Sequence, residues 1–277
     1  MTEIVYILGA GRSGSTLLDR LLGSARGAIS LGEVHSLWRL PLADLTCSCG
    51  ASGHECGFWG EVLTRAGLGP ACLASLRRLE AEVVRHKVIA GAGFSLTRYH
   101  ADQDVGRFLG MQRDLFGAIS EYAGARRLID SSKAAPRAWM LAAMDDVKVV
   151  HLHRDPRAVA TSWRSRKHDP SLGGPMRRVS AGAAFADWAR AGASARALAR
   201  QRPVLRLRYE TLVQLPRLAM RETFGPAIAE GLAWSGPDMF TPDPDYHALN
   251  GNPDRFKRGA IQIRPSSSAR MQEVAAS

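Results

Sequence analysis

The chain has 277 residues, 45% of them hydrophobic and 23% charged, which suits one domain with a substantial core and excludes a disordered or fibrous polypeptide. Its 37 Lys and Arg against 26 Asp and Glu leave a formal net charge of +11, so an anionic partner is expected: nucleic acid, an acidic lipid surface, or a multiply phosphorylated small molecule. The four cysteines are too few and too clustered for a secreted disulfide framework, the apolar N-terminal run is too short for a signal peptide, and no run of about 20 apolar residues occurs, so a cytoplasmic address without stable membrane insertion is expected.

Ile4-Val5-Tyr6-Ile7-Leu8 is a short apolar run rich in strand formers, and it opens into Gly9-Ala10-Gly11-Arg12-Ser13-Gly14-Ser15-Thr16, followed by the helical pattern that begins at Leu17. Strand, glycine-rich loop and helix start together make a phosphate cradle, because glycines let successive N–H groups approach an anion and the helix end adds partial positive charge. Gly9, Gly14 and Thr16 fit the nucleotide-cradling pattern G-x-x-x-x-G-K-[ST], but Ser15 stands where the lysine belongs. Arg12 and the hydroxyls of Ser13, Ser15 and Thr16 form a different donor set, which points to a phosphate-bearing ligand other than an ordinary NTPase substrate. A plain Gly/Ser-rich turn would look similar.

Residues 29–33 read as a short connection that returns the chain towards this loop and ends on Glu33, a candidate general base or an exposed loop carboxylate. Cys47, Cys49, His54 and Cys56 could hold a metal, but all four fall within one short loop rather than in two separated pairs; a reduced local clasp is the expectation, with no metal. A disulfide within the loop is the other reading. Residues 70–123 read as a helical insertion of two helices, over 71–90 and 104–123, that cover the sheet and border an acceptor pocket.

A second strand over 127–133 carries Asp130, a magnesium ligand if the protein were an NTPase, and ends on Lys133, which could set an ammonium beside a leaving phosphate. A helix from Pro136 to Met144 follows. The third strand, 147–153, runs into Arg154, with Asp155 as helix N-cap and Pro156 as the first helical residue. Arg154, the helix end and the hydroxyl of Ser162 two turns on imply a second anion site suited to a phosphate monoester. A helix over 179–200 leads to a fourth strand over 204–207 and then to Arg208-Tyr209-Glu210-Thr211-Leu212-Val213. Alternation of strands and helices predicts an α/β, P-loop-like three-layer fold: a central parallel sheet of about four to five strands with helices on both faces, in one domain over 1–277. The Cys-containing loop spans about 47–58. The stretch from about 236 to 277 is read as an irregular C-terminal cover, in which Lys257, Arg258 and Gly259 form a lid-like basic segment. Pairs such as Arg77 and Arg78, or Arg177 and Arg178, read as solvated helix surface.

These segments resemble the sulfotransferases that use 3′-phosphoadenosine 5′-phosphosulfate (PAPS). Gly11-Arg12-Ser13-Gly14-Ser15-Thr16 is similar to that family's 5′-phosphosulfate loop in the form typical of its tyrosylprotein, Golgi and bacterial branches. His153-Arg154-Asp155-Pro156-Arg157-Ala158-Val159-Ala160-Thr161-Ser162 is similar to its 3′-phosphate motif, and Arg208-Tyr209-Glu210-Thr211-Leu212 to its R-Y-E-D-L segment. Asn252-Pro253-Asp254-Arg255-Phe256 resembles a bacterial-type tail motif. The resemblance implies that Arg12 and the loop amides hold the 5′-phosphosulfate, that Arg154 and Ser162 hold the 3′-phosphate, and that Tyr209 lies beside the adenine or the 3′-phosphate. It further implies that Glu33 is the base, that Lys133 acts on the leaving phosphate, and that Lys257, Arg258 and Gly259 match an R-K-G segment with the cations exchanged. Cytosolic members use a histidine, so His35, His151 and His153 are rival bases, and residues 263–268 lack the D-x-x-W of the bacterial type.

In-line transfer of a sulfonate to a hydroxyl needs no metal, since there is no β,γ-bridge for magnesium to clamp. The acceptor is expected to be a small molecule, glycan or lipid hydroxyl; its identity and the oligomeric state cannot be read from the sequence. A P-loop kinase or NTPase with Asp130 as metal ligand, and a non-enzymatic basic nucleic-acid-binding protein, are the alternatives; the latter lacks basic stripes with interleaved aromatics, so no nucleic-acid partner is expected.

Overall fold

Segments that are apolar on both faces can only sit inside a sheet covered on both sides, and this dictates the architecture. A computed structural model of the chain describes residues 2–165, 168–170 and 173–265. Parallel strands β1 (Glu3–Leu8), β2 (Ala28–Gly32), β3 (Arg127–Lys133), β4 (Val147–His153) and β5 (Val204–Arg208) lie in the order β2-β3-β1-β4-β5. The central strand alternates between two cores: Ile4, Tyr6 and Leu8 join one, Val5 and Ile7 the other.

The helices divide accordingly. These are α1 (Ser15–Leu22), α2 (Gly57–Arg65), α3 (Pro70–Val83), α4 (Gln103–Ala123), α5 (Ala135–Leu141), α6 (Pro156–Arg164), α7 (Ala181–Leu198) and α8 (Tyr209–Gln214). Trp59 of α2, Phe108 of α4 and Trp139 of α5 fill the first core, while Leu18 and Leu21 of α1 and Leu212 of α8 fill the second. The outcome is a three-layer α/β fold.

Several expectations need correction. Residues 29–33 are no mere connection: 28–32 form the edge strand β2, parallel to β3. The stretch 71–90 breaks at Val84 and resumes as a short helix, His86–Gly91. At the break the Val83 carbonyl, which a continuing helix would have used, accepts instead from the Arg85 amide (3.0 Å) and the Tyr99 hydroxyl (3.0 Å). The helix read over 136–144 is the shorter α5, and that over 179–200 is α7, capped by Ser180, whose Oγ accepts from the Ala183 amide. The C-terminal cover is not wholly irregular, because Met239–Phe240 pairs antiparallel with Ile261–Gln262. Its last residues, 266–277, lie outside the described residues. No helix among the described residues is long and apolar enough to cross a membrane.

Asp130 is fully buried and fully committed. Its Oδ2 accepts from Nη2 (3.0 Å) and Nε (3.2 Å) of Arg137, and its Oδ1 from the Ser132 amide (2.9 Å). Arg137 in turn lies over the Trp38 ring, 5.0 Å from its centroid. A carboxylate so engaged is not free to hold magnesium at the glycine loop, which removes the metal ligand of the NTPase reading. Asp130→Asn leaves the Arg137 charge uncompensated and is expected to lower the free energy of unfolding by about 3–5 kcal/mol in a denaturant titration.

Asp19 of α1 is also buried and accepts from Ser30 Oγ (2.7 Å). Burial is the dominant influence and pushes its carboxyl from 3.8 up to about 7, against the lowering effect of the Ser30 hydrogen bond. Because the folded-state value lies above the unfolded one, the stabilisation from proton binding is complete below about pH 4 and is lost as pH rises through about 7. Asp19→Asn is therefore expected to raise the melting temperature relative to the parent at about pH 8, with the gain shrinking at about pH 5. Equal shifts at the two pH values would show that Asp19 is ionised throughout.

Candidate active site

The loop after β1 is shaped by what its glycines must avoid. Gly14 has φ of +95°, and a Cβ there would stand 2.4 Å from Cδ2 of Tyr209; a Cβ on Gly11 would stand 2.5 Å from Cζ2 of Trp163. Gly14 is also the N-cap of α1, so no side chain satisfies the first-turn amides, and no acid sits in that turn. Open N–H groups at a helix start, aligned with its dipole, attract an anion. Arg12 lies with its guanidinium 5.0 Å from the Trp163 ring, and its Nε is buried without a hydrogen-bond partner. Burial, the largest influence, draws its pKa below the ordinary arginine value, so a bound anion would relieve that cost.

The turn after β4 approaches the same place. Arg154, only 5% exposed, donates from Nη1 to the carbonyl of Arg12 (3.0 Å) and covers the Tyr209 ring at 4.3 Å. The Asp155 amide donates to Glu210 Oε1 (2.9 Å), whose Oε2 pairs with Arg208 Nε (3.1 Å). The Arg208-Tyr209-Glu210 segment thus braces the turn. Asp155 caps α6 as expected, accepting from the amides of Arg157 (2.8 Å) and Ala158 (3.2 Å). The helix end thus holds a carboxylate of its own, while Arg154 and Ser162 border the adjoining cavity.

Glu33 and Lys133 meet across the ends of β2 and β3. Lys133 Nζ is ion-paired with Glu33 Oε1, and His35 Nε2 lies 3.9 Å from Glu33 Oε2. The Glu33 amide donates to the Leu249 carbonyl (2.9 Å), and Gly251 packs on its side chain. Two cavities share this pair. One, of about 590 Å³, is lined by the turns after β1 and β4; the other, of about 480 Å³, reaches past His35 and His86 towards Arg190. His35 is nearly buried, and burial first, then the charges of Arg39, Arg137 and Lys133, hold it well below the ordinary histidine value. His151, lowered by burial to about 4, and His153 line neither cavity.

Of the residues expected at the site, Gly11, Arg12, Gly14, Ser15, Thr16, Glu33, Lys133, Arg154, Ser162, Tyr209 and Lys257 line the larger cavity. Three stand apart. Ser13 is buried beneath the loop, Gly259 is exposed outside the cavity, and Arg258 turns away to donate to the carbonyls of Ser48 (2.6 Å) and Pro244 (3.0 Å). Sequence reasoning missed Arg20, Trp163, Asn250 and Arg264, which also line the cavity. Arg20 is buried, donates to the Asp254 carbonyl (2.6 Å) and bonds to that of Lys257, so it carries the strap formed by residues 250–257. Its place one turn into α1, on the face of Thr16, was the available signal.

The sequence profile described as "Sulfotransferase family" matches residues 5–224. The chain belongs to the sulfotransferase family. Among solved structures, this sulfotransferase-family chain is similar to the sulfotransferase domain from the curacin biosynthetic pathway, with 19% identity, TM-score 0.45, and coverage of 80% of this chain and 72% of that one. It is also similar to the sulfotransferase domain from the Synechococcus PCC 7002 olefin synthase, with 22% identity, TM-score 0.47, and coverage of 96% and 86%. No curated protein matches the chain.

In this sulfotransferase-family chain, Gly14→Ala should be roughly 1–3 kcal/mol less stable than Gly27→Ala in a denaturant titration, because the new Cβ drives Tyr209 from under Arg154. Gly27→Ala is the control, also at positive φ but with nothing within 4 Å; equal losses would show that Tyr209 yields freely.

Proposed function

We propose that the chain transfers a sulfonate group from PAPS to a hydroxyl of a small-molecule, glycan or lipid acceptor, with Glu33 as general base. The observation that carries this reading is that the turns after β1 and β4 open on one cavity, while Glu33 and Lys133 stand where it meets a second. The residues fit such a donor. Among the described residues, Arg12, Arg20, Lys133, Arg154, Lys257 and Arg264 line the larger cavity against Glu33 and Asp254, an excess of positive charge suited to two separated anionic groups. Arg12 and the first amides of α1 would take the 5′ end, Arg154 and Ser162 the 3′-phosphate, with Tyr209 and Trp163 as flat apolar surfaces beneath. The second cavity, with Arg39, His86, Asp187 and Arg190, suits a polar acceptor.

In the transfer, the acceptor oxygen bonds to sulfur as the bond from sulfur to the 5′-phosphate oxygen breaks. Glu33 takes the hydroxyl proton, and Lys133 and Arg12 stabilise the charge that grows on the departing phosphate. The ion pair must part for this, Lys133 turning to the phosphate and Glu33 to the acceptor. By analogy with other developing anions, each cationic contact contributes about 3 kcal/mol in the transition state, and a placed base about 10²–10⁴-fold in rate.

Titration with 3′-phosphoadenosine 5′-phosphate and with ADP, each with and without magnesium, tests the donor. The bisphosphate should bind more tightly and independently of magnesium; magnesium-dependent preference for ADP would overturn the reading. Arg154→Ala should erase that preference and Arg12→Ala should abolish transfer of radiolabelled sulfonate to a panel of hydroxyl acceptors. Glu33→Gln should bind the bisphosphate normally while transfer falls about 10²–10⁴-fold; unchanged turnover would remove Glu33 from its role.

A further inference from the structure

Away from the cavity, the loop expected to be a reduced clasp does something the sequence spacing concealed. Cys47, Cys49 and Cys56 gather as foreseen, but the exposed His54 is not with them; His247, from the C-terminal cover, is. The three sulfurs and His247 Nδ1 all lie within 4.8 Å of one another. Cys49 and Cys56 sulfurs are 3.8 Å apart, and His247 Nδ1 is 3.6 Å from the Cys47 sulfur and 3.3 Å from that of Cys56.

We propose that Cys47, Cys49, Cys56 and His247 form a structural zinc site. Zn–S bonds of about 2.3 Å and Zn–N bonds of about 2.0–2.1 Å, set tetrahedrally, require ligand atoms roughly 3.5–3.8 Å apart, close to the separations found. Three thiolates and an imidazole are a donor set that selects zinc over the oxygen-seeking divalent cations. The surroundings fit as well. The His247 ring is stacked on Phe58 at 4.7 Å, and the His247 carbonyl accepts from Trp59 Nε1 (2.8 Å), so ring and backbone are both held. Cys49 is exposed, which gives the ion an entry path, and all four cysteines are free thiols. On binding, three thiol protons pass to solvent and the site carries one net negative charge.

None of the four ligands lines either cavity, yet the cluster is tied to them. Around it the Ser48 amide donates to the Ala248 carbonyl (2.9 Å) and Leu249 bridges Cys47 and Gly32, so the metal would fasten the strand that flanks Glu33. Elemental analysis of the full chain, purified in zinc-containing buffer and dialysed against a weak chelator, should find about one zinc per chain. Cys49→Ser and His247→Ala should each reduce this roughly tenfold or more, while His54→Ala should retain it. Should those variants fail to fold, cobalt substitution of the unaltered protein decides: tetrahedral ligand-field bands with sulfur-to-cobalt charge transfer support the site. No bound metal, a disulfide between Cys49 and Cys56 by intact mass, or metal lost in His54→Ala and kept in His247→Ala would each overturn it.

Discussion

The hydrogen bond from Arg154 Nη1 to the carbonyl of Arg12 ties the turn after β4 to the turn after β1. Arg154 is nearly buried, and a guanidinium out of water needs acceptors and a polarisable face. The Arg12 carbonyl and the Tyr209 ring supply part of both. The parallel pairing of β1 with β4 sets the strand ends side by side, and this contact fixes how the two turns beyond them lie against each other. It also explains why Gly14 must lack a side chain, since Tyr209 occupies the space a Cβ would take.

The same economy of contacts recurs on the other side of the cavity. Glu33 and Lys133 come from the ends of β2 and β3, and neither strand alone determines where its charged residue will point. The neighbouring Ser132 Oγ bonds to Asp130 and accepts from the His35 amide (3.3 Å), so the buried ion pair with Arg137 reaches the segment that follows Glu33. Core electrostatics and site geometry are thus linked by one serine.

What could be read from the sequence was local. The glycine loop, the Asp155 cap and the strands 127–133 and 147–153 are written in consecutive residues, where turn chemistry and hydrophobic runs act within a few positions. Strand β2 escaped because a five-residue stretch ending in glycine carries little periodic signal. The inward turn of Arg20, the outward turn of Arg258 and the meeting of Cys47 with His247 depend on the C-terminal cover folding back over the start of the chain. Spacing rules look for ligands near one another along the chain, and so His54 stood in for a residue two hundred positions from Cys47. The motifs fell on the two turns that line the larger cavity; they were silent on which basic residues of the cover would turn inward.

Leu249 donates to the Leu31 carbonyl (3.0 Å) and accepts from the Glu33 amide (2.9 Å), so residues near the end of the chain complete the ladder along the outer margin of β2. Without that segment in place, the margin would present unpaired N–H and C=O groups to any passing strand. The cover therefore shields the sheet from edge-to-edge association as well as bordering the cavity, and loosening it would make the fold adhesive.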